Sequence, residues 1–197
     1  MMQNTRLEQM VFDNNGIIQT ADAVDAGISK QIFYRFIKEH NFEQVAHGIY
    51  LSPDSWLDTM YVISLRSKQA VFSHETALFL HNLTDREPVQ YSITVKTGYN
   101  PSKLKADGIK VYTIKEELYN LGLSEAKTPF DHTVRTFNIE RTICDIIRSR
   151  STIEFQSFQD SLKQYTKRKE KNLRLLMQYA QQFRVDKILN QYLGVLL

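Results

Sequence analysis

Polar side chains recur at helical spacing in the segment 29–40, "SKQIFYRFIKEH". At about 100° per residue, the apolar side chains of this segment share one arc of a helix. The opposite arc carries Gln31, Tyr34, Arg35 and Lys38. Arginine and glutamine carry the donors and acceptors that read base edges, and lysine binds phosphate groups. The pattern therefore indicates a helix surface suited to a nucleic acid.

The elements around this segment predict how the surface is presented. Ser29 is the expected N-cap of the helix. Two helices precede it, "NTRLEQMVFDNNG" ending at Gly16 and the shorter "TADAVDAG" capped by Thr20, with a turn at Gly27. "FEQVAHGIYL" follows as two strands joined at His47–Gly48. This order predicts a winged helix-turn-helix, whose third helix enters the major groove and whose hairpin lies along the DNA backbone.

The expected contacts divide by residue type. Gln31 and Arg35 would read base edges, and Lys30 and Lys38 would meet phosphates. The full set of expected DNA-binding residues is Ser29, Lys30, Gln31, Tyr34, Arg35, Lys38 and His47. The alternative is a solvated face, and trihelical units with a hairpin also serve as protein-binding modules. The net charge does not decide among these possibilities, because residues 1–52 hold four Lys or Arg against six Asp or Glu.

Composition limits the class of protein. The 197 residues suffice for one large or two small domains, and 42% hydrophobic with 24% charged residues is typical of a globular chain. The single Cys144 excludes an internal disulfide and suits a reducing cytosol. We find no signal-peptide pattern and no apolar run near the ~18 residues of a membrane span. We therefore expect a cytoplasmic protein with no membrane partner.

A change of pattern at Pro53 places a domain boundary there, giving domains 1–52 and 53–197. "DSWLDTMYVISLRS" predicts a helix with Pro53 near its start, and "SHETALFLHNL" predicts another, capped by Ser73. Strands are expected from "YSITVKT", "IKVYTI" and "TVRTF", the first two joined by a loop, and a helix from "IERTICDIIRSR".

The C-terminal part, residues 153–197, is expected to be helical, with N-caps at Asn172 and Asp186. The predicted fold class is therefore α+β. It consists of an N-terminal winged helix-turn-helix followed by a mixed α/β domain with a small sheet and a helical C-terminal end.

Residues suited to catalysis or metal binding are few. The seven glycines lie singly, which excludes a P-loop and a dinucleotide fingerprint. His74 and His81 are two helical turns apart and lack a third ligand; we expect them at the two ends of one helix, where an imidazolium at the C-terminal end favours the dipole. Cys144 is expected to be a buried structural thiol. With no paired carboxylates either, we expect no catalytic residue, no metal, no cofactor and no enzyme activity.

A dense basic run, "LKQYTKRKEKNLR", follows in the helical part. Lys163 and Lys167 are expected to point outward one turn apart, opposite the aromatic and leucine side chains, and a break is expected near Asn172. The second expected functional surface, for a nucleic acid or another acidic partner, comprises Lys163, Lys167, Arg168, Lys171, Arg174 and Lys96. A solvated face is again the alternative.

Taken in order along the whole chain, these motifs resemble the AbiEi-type antitoxins of bacterial abortive-infection, type IV toxin–antitoxin systems. The resemblance rests on the winged helix ending in "HGIYL", then "SHETALFLHNL", the strand pair, "FNIERTICDIIR" and the closing "LLMQYAQQFRVDKILNQYL". It implies a cytoplasmic antitoxin that represses its own operon through inverted-repeat DNA. It also implies that the protein counteracts a nucleotidyltransferase-like toxin, without a stable complex with it.

One feature departs from this pattern, because the winged helix here is net acidic and the basic excess lies in the second domain. That basic surface is then a candidate for holding DNA as well. Two other functions stay open. The first is a plain winged-helix regulator whose second domain senses a ligand or oligomerises. The second is a nuclease-like defence enzyme, against which the missing carboxylates argue.

Overall fold

The structure is a computed structural model that describes residues 2–196, and the chain divides into two compact units. The first unit comprises the residues up to Ser67 together with Thr128–His132. The second unit comprises Lys68–Lys127 and the residues from Thr133 onward.

The first unit is a helix-turn-helix with a three-stranded sheet. Its elements are α1 (Met2–Asp13), β1 (Ile17–Gln19), α2 (Thr20–Asp25), α3 (Lys30–Glu39), β2 (Glu43–Ala46), β3 (Ile49–Leu51) and α4 (Thr59–Arg66). The antiparallel strands lie in the order β1-β3-β2, so that the hairpin β2–β3 is closed on its other side by β1. Three helices and a terminal hairpin in this order form the winged-helix layout that the sequence predicted.

Apolar side chains at helical spacing fix α3 in this unit. Phe33, Phe36 and Ile37 are buried and pack with Leu7 of α1 and Tyr50 of β3. The arc predicted to be apolar is therefore the arc that faces the core. Burial of each large apolar side chain stabilises the unit by roughly 1.5–3 kcal/mol, which holds the opposite arc of α3 toward solvent.

Two predicted helix starts in this unit were wrong. Gln19, not Thr20, is the N-cap of α2, and its side chain makes no capping bond. The helix expected from Pro53 begins only at Thr59, because Asp58 is its N-cap and accepts a hydrogen bond from the Tyr61 N–H at 3.0 Å.

The structural division falls later in the chain than the predicted boundary at Pro53. Val62 of α4 explains this, since it is buried with Ile17, Ile49 and Leu51 of the winged-helix sheet. The assignment of separate functions to residues 1–52 and 53–197 stays a prediction.

The second unit is built on a five-stranded sheet with helices. Its elements are β4 (Val71–Phe72), α5 (His74–Leu80), β5 (Ser92–Lys96), α6 (Ser102–Ala106), β6 (Lys110–Ile114), α7 (Glu116–Tyr119), β7 (Leu123–Lys127), β8 (Thr133–Phe137), α8 (Ile139–Arg148), α9 (Phe155–Lys167), α10 (Leu173–Gln182) and α11 (Asp186–Leu196). The strand order is β6-β5-β4-β8-β7.

The three strands expected from the sequence are β5, β6 and β8, whereas β4 and β7 were not predicted. β5 and β6 pair in parallel, and the connection between them contains α6 instead of being a simple loop. A parallel pair needs a crossover connection, which explains the length of this segment.

Helix α8 is the central element of the second unit, and the buried guanidinium of Arg141 is its most unusual feature. Arg141 donates to Asp145 at 2.9 Å and to the carbonyl oxygens of Leu118 and Leu121 at 2.8 and 2.7 Å. The rings of Phe137 and Phe183 lie 4.1 Å from its guanidinium carbon. A charge at this depth is retained because it is paired and hydrogen-bonded.

The predicted helical C-terminal part is confirmed as α9, α10 and α11, and Asn172 caps α10 through its side chain. The α+β fold class is likewise confirmed. Within residues 2–196, no helix has the combined length and apolar character that crossing a membrane requires.

Candidate nucleic-acid interface

Helix α3 presents one polar, solvent-exposed face. Ser29 is its N-cap, with Oγ accepting from the Ile32 N–H at 3.4 Å, as predicted. The residues expected to contact DNA are all exposed in the first unit. Ser29 is the N-cap of α3, and His47 lies in the hairpin turn. The structure brings the other five onto α3 itself: Lys30, Gln31, Tyr34, Arg35 and Lys38.

Tyr34 is the one aromatic side chain on this face, and it is 45% exposed. Its ring contacts Phe33 and Tyr50 in edge-to-face geometry, with centroid distances of 5.4 and 6.3 Å. Burial raises the pKa of Tyr50, and the neighbouring Tyr34 raises it further. Tyr34 thus links the exposed face of α3 to strand β3, which limits movement of the face relative to the hairpin.

Arg35 has an acidic neighbour on the same helix, which was not predicted as its partner. Its Nε lies 4.0 Å from Oε1 of Glu39, one turn further along α3, and both side chains are more than half exposed. A surface pair of this kind contributes only about 0–1 kcal/mol. The guanidinium is therefore free to exchange Glu39 for another acceptor at little cost.

The hairpin turn is anchored at its glycine. Gly48 has φ +70°, a conformation that disfavours other residues, and its carbonyl oxygen accepts a hydrogen bond from the Thr20 N–H at 2.9 Å. The anchor ties the turn to the start of α2. His47, next to it, extends into solvent.

The residues of the second predicted surface are not equivalent. Lys163, Lys167 and Arg174 are exposed, and Lys163 lies 4.0 Å from Asp160. Arg168 has a structural role, since it donates to the His81 carbonyl oxygen at 2.7 Å and to Glu170 at 2.6 Å.

Two other members of that surface are also occupied. The Lys171 ammonium donates to the Arg168 carbonyl oxygen at 3.1 Å, and Lys96 pairs with Glu116 at 2.6 Å. The break predicted near Asn172 is present between α9 and α10. The cations most available to a partner are thus Lys163, Lys167 and Arg174.

His74 lies at the start of α5, as expected, but its surroundings were not predicted. It is buried at φ +51°, and its ring stacks on Tyr112 with centroids 3.5 Å apart. Its nitrogens lie 2.9 Å from Ser73 Oγ and 3.1 Å from Ser149 Oγ. Burial lowers the pKa of His74 well below its usual value, and the cations Arg148, Lys110 and Arg141 lower it further. His74 is therefore neutral at physiological pH.

The expectation for His81 was wrong in its charge. His81 does lie at the C-terminal end of α5, but its Nε2 is 2.6 Å from the Phe137 carbonyl oxygen. Burial lowers its pKa, so the imidazole is neutral and donates a hydrogen bond instead of countering the dipole.

Cys144 is buried, as expected, and burial raises the pKa of its thiol to about 12. A thiol in that state is not a nucleophile at neutral pH. In the part of the chain that the structure describes, no three His, Cys, Asp or Glu side chains are grouped so that they could hold a metal ion.

A second buried polar cluster, in the first unit, was missed entirely. Asp58 Oδ2 accepts from Thr128 Oγ1 at 2.5 Å and lies 2.7 Å from His132 Nδ1. The His132 ring stacks on Tyr61 with centroids 4.0 Å apart, and its Nε2 lies 3.1 Å from the Asn14 carbonyl oxygen. These residues are far apart in the sequence, and no local pattern connects them.

Comparison with known proteins gives a likeness of fold. No family model and no curated protein matches this chain. Among solved structures, it is similar to the crystal structure of the RV2827C protein from Mycobacterium tuberculosis, with a TM-score of 0.59 and 11% sequence identity. The match covers 92% of this chain and 72% of that chain. At this identity, the likeness concerns the fold alone.

Proposed function

We propose that this protein is a cytoplasmic DNA-binding antitoxin that represses its own operon by binding inverted-repeat DNA and counteracts a nucleotidyltransferase-like toxin. The observation that carries the DNA-binding part is the exposed face of α3, with Lys30, Gln31, Tyr34, Arg35 and Lys38 directed to solvent from a helix locked by its apolar side. The third helix of a winged helix is the element that enters a major groove.

The composition of the face supports specific recognition of bases. Arg35 and Gln31 carry bidentate hydrogen-bonding groups that match guanine and adenine edges, respectively. Lys30 and Lys38 flank them at the two ends of α3 and supply phosphate contacts, which fix the register of the helix on the duplex. One helix would thus supply both the base contacts, from Gln31 and Arg35, and the phosphate contacts on either side of them, from Lys30 and Lys38.

The antitoxin part of the proposal is supported by the order of motifs that the chain shares with the AbiEi-type antitoxins. The exposed cations Lys163 and Lys167 of α9 supply a surface for an acidic partner outside the winged helix. Since α3 already offers a DNA reader, we assign this second surface to antitoxicity.

The DNA-binding part is tested by titrating the DNA upstream of the protein's own operon in a gel-shift assay. Replacing Arg35 or Gln31 with alanine removes a base contact, so the dissociation constant should rise roughly ten- to a hundredfold. Arg6→Ala is the matched control, because Arg6 is an exposed cation on α1 and not on α3. Unchanged affinity of both α3 variants would exclude α3 as the reader.

The antitoxin part is tested by growth rescue. Cells that express the nucleotidyltransferase-like toxin encoded beside this gene should recover when the wild-type chain is co-expressed, and Arg35→Ala should still rescue them if DNA binding and protection are separate. No such neighbouring gene, or no rescue by the wild type, would exclude the antitoxin function.

A plain regulator with a ligand-sensing second unit is the other candidate. It is favoured by a cavity of about 280 Å³ in the second unit, whose lining includes Glu75, Leu78, Arg86 and Lys110. Lys110 and Glu75 pair there at 2.9 Å. A regulator of this kind would repress its operon and give no protection in the growth assay.

A further inference from the structure

The two units of the chain carry opposite net charge. The first unit holds five Lys or Arg against nine Asp or Glu, and the second holds twenty against thirteen. The acidic excess of the first unit is unfavourable near DNA, so a use other than DNA binding is indicated for the surface where it collects.

Part of that acidic charge lies around a groove in the first unit, here called the acidic groove, with a volume of about 710 Å³. The carboxylates of Glu8, Asp13 and Asp54 line it together with the apolar side chains of Val11 and Phe36. Asp13 accepts a hydrogen bond from Gln9 at 2.7 Å. Glu8 and Asp54 have no cationic partner among the residues that the structure describes.

Large apolar side chains are exposed beside these carboxylates. Phe12, which lines the groove, is 79% exposed, and Trp56, which follows the lining residue Ser55, is 81% exposed. Exposed aromatic side chains next to a groove are typical of a surface that binds another protein. The carboxylates require that the partner be basic, and His40 is the only lining side chain of the groove that can become cationic.

A basic surface of the required kind is present on the same chain. In the segment 163–174, Lys163, Lys167, Lys169 and Arg174 are exposed. The nearest acid of Lys163 is Asp160 at 4.0 Å, a weak surface contact, and Glu170 is occupied by Arg168. The exposed cations of the run therefore lack strong partners within the described residues.

We propose that two copies of this chain associate reciprocally, each placing its basic run, residues 163–174, in the acidic groove of the other. In this arrangement each copy contributes one groove and one run, which gives two equivalent contacts. Species larger than dimers in sedimentation would overturn the reciprocal arrangement. Charge complementarity selects the register, and burial of Phe12 and Trp56 at the contact supplies the apolar contribution. This contact uses the same Lys163 and Lys167 that we assign to antitoxicity, so a second copy and another acidic partner would compete for them. Its test needs neither DNA nor toxin, so the two assignments can fail separately.

Sedimentation velocity of the full chain across a concentration series tests this directly. The wild type should form dimers at low salt and dissociate at high salt, where opposite charges are screened. The chain has a single tryptophan, Trp56, so its fluorescence should shift to shorter wavelength as the dimer forms. A wild type that stays monomeric throughout the low-salt series would overturn the proposal.

Charge reversal identifies the surfaces. A groove variant with Glu8→Lys and Asp54→Lys opposes like charges, as does a run variant with Lys163→Glu and Lys167→Glu. Each variant alone should dimerise at least about tenfold more weakly than the wild type. A 1:1 mixture should recover dimers, because the positive groove of one variant meets the negative run of the other and the two unchanged surfaces still match.

The matched control reverses two exposed acids of the first unit outside the groove, Asp25→Lys and Glu43→Lys, and should leave the dimer unchanged. Circular dichroism verifies that each variant is folded. Dimers that survive both reversals, or variants whose mixture stays monomeric, would overturn the pairing of groove and run.

Discussion

Nδ1 of His132 lies 2.7 Å from Oδ2 of Asp58, and both side chains are almost fully buried in the first unit. Each nitrogen of His132 faces an oxygen, Asp58 Oδ2 on one side and the Asn14 carbonyl on the other. Asp58 also caps α4, so one carboxylate joins the helix start to the segment Thr128–His132.

Removing His132 should therefore destabilise the protein strongly. His132→Ala removes the hydrogen-bonding partner of the buried Asp58 carboxylate, which costs about 3 kcal/mol of unfolding free energy. Urea denaturation followed by circular dichroism measures this. Tyr61→Phe is the control, because it keeps the ring stacked on His132 and removes only the hydroxyl bond to Asn14, worth about 0.5–1.5 kcal/mol. Equal losses in the two variants would contradict the assignment.

Glu39 should weaken DNA binding in the wild type, because it competes for the Arg35 guanidinium and carries charge of the same sign as phosphate. Glu39→Gln should increase operator affinity by up to about fivefold, the value of one surface ion pair. Fluorescence anisotropy at fixed salt measures the change. Glu117→Gln makes the same charge change at an exposed position of the second unit and should have a smaller effect; a larger one would place the DNA elsewhere.

Replacing Lys163 and Lys167 of α9 should show whether this surface binds DNA or serves antitoxicity. If Lys163 and Lys167 contact DNA, replacing both with alanine lowers the salt slope of operator binding by up to about two units. If they serve antitoxicity, as we propose, operator binding persists and rescue from the toxin fails. Lys115→Ala with Lys187→Ala removes two other exposed lysines as a control. Wild-type behaviour in both assays would leave Lys163 and Lys167 with no role in either.

Acid should destabilise the second unit through His74. Its pKa is lowered in the folded state, so below about pH 6.5 the unfolded chain binds a proton that the folded chain does not. Stability then falls with decreasing pH, by at most about 1.4 kcal/mol per pH unit for this group.

His74→Asn tests this, since asparagine tolerates the positive φ of the site. Urea unfolding at pH 7 and pH 5 should show a smaller acid loss for the variant than for the wild type. Replacing the exposed His47 with asparagine is the control and should retain the wild-type loss. If His74→Asn lost as much unfolding free energy between pH 7 and pH 5 as the wild type, His74 would be excluded as a cause of the acid destabilisation.

Helix α3 was predictable because the residues that define it are adjacent in the sequence. A run of apolar residues at helical spacing, a serine before it and a glycine hairpin after it define α3 and its exposed face, and the structure has all three. Polar faces are set by the same periodicity that sets the core. For this reason, the exposure of Arg35 and Gln31 followed from the sequence. The Arg35–Glu39 pair is equally local, since its two residues lie one helical turn apart, but it was not predicted.

The remaining features depend on contacts that no local pattern encodes. β4 has only two residues, and β7, "LSEAK", carries little apolar alternation, so neither gave a strand signal. Asp58 and His132 meet across many intervening residues, and the neutral state of His81 depends on burial against Phe137. Burial is a tertiary property, which explains why the positions of His74 and His81 at the ends of α5 were predicted and the charge of His81 was not.

The segment Thr128–His132 belongs to the first unit although β7 and β8 on either side belong to the second. The polypeptide therefore passes between the units three times, once at Ser67 and twice around this segment. No single cut in the chain yields both units whole, because a cut at Ser67 leaves Thr128–His132 on the other fragment and a cut beside His132 divides the second unit. A fusion that exchanges the first unit alone therefore has to transplant two separate stretches of chain, the residues up to Ser67 and Thr128–His132.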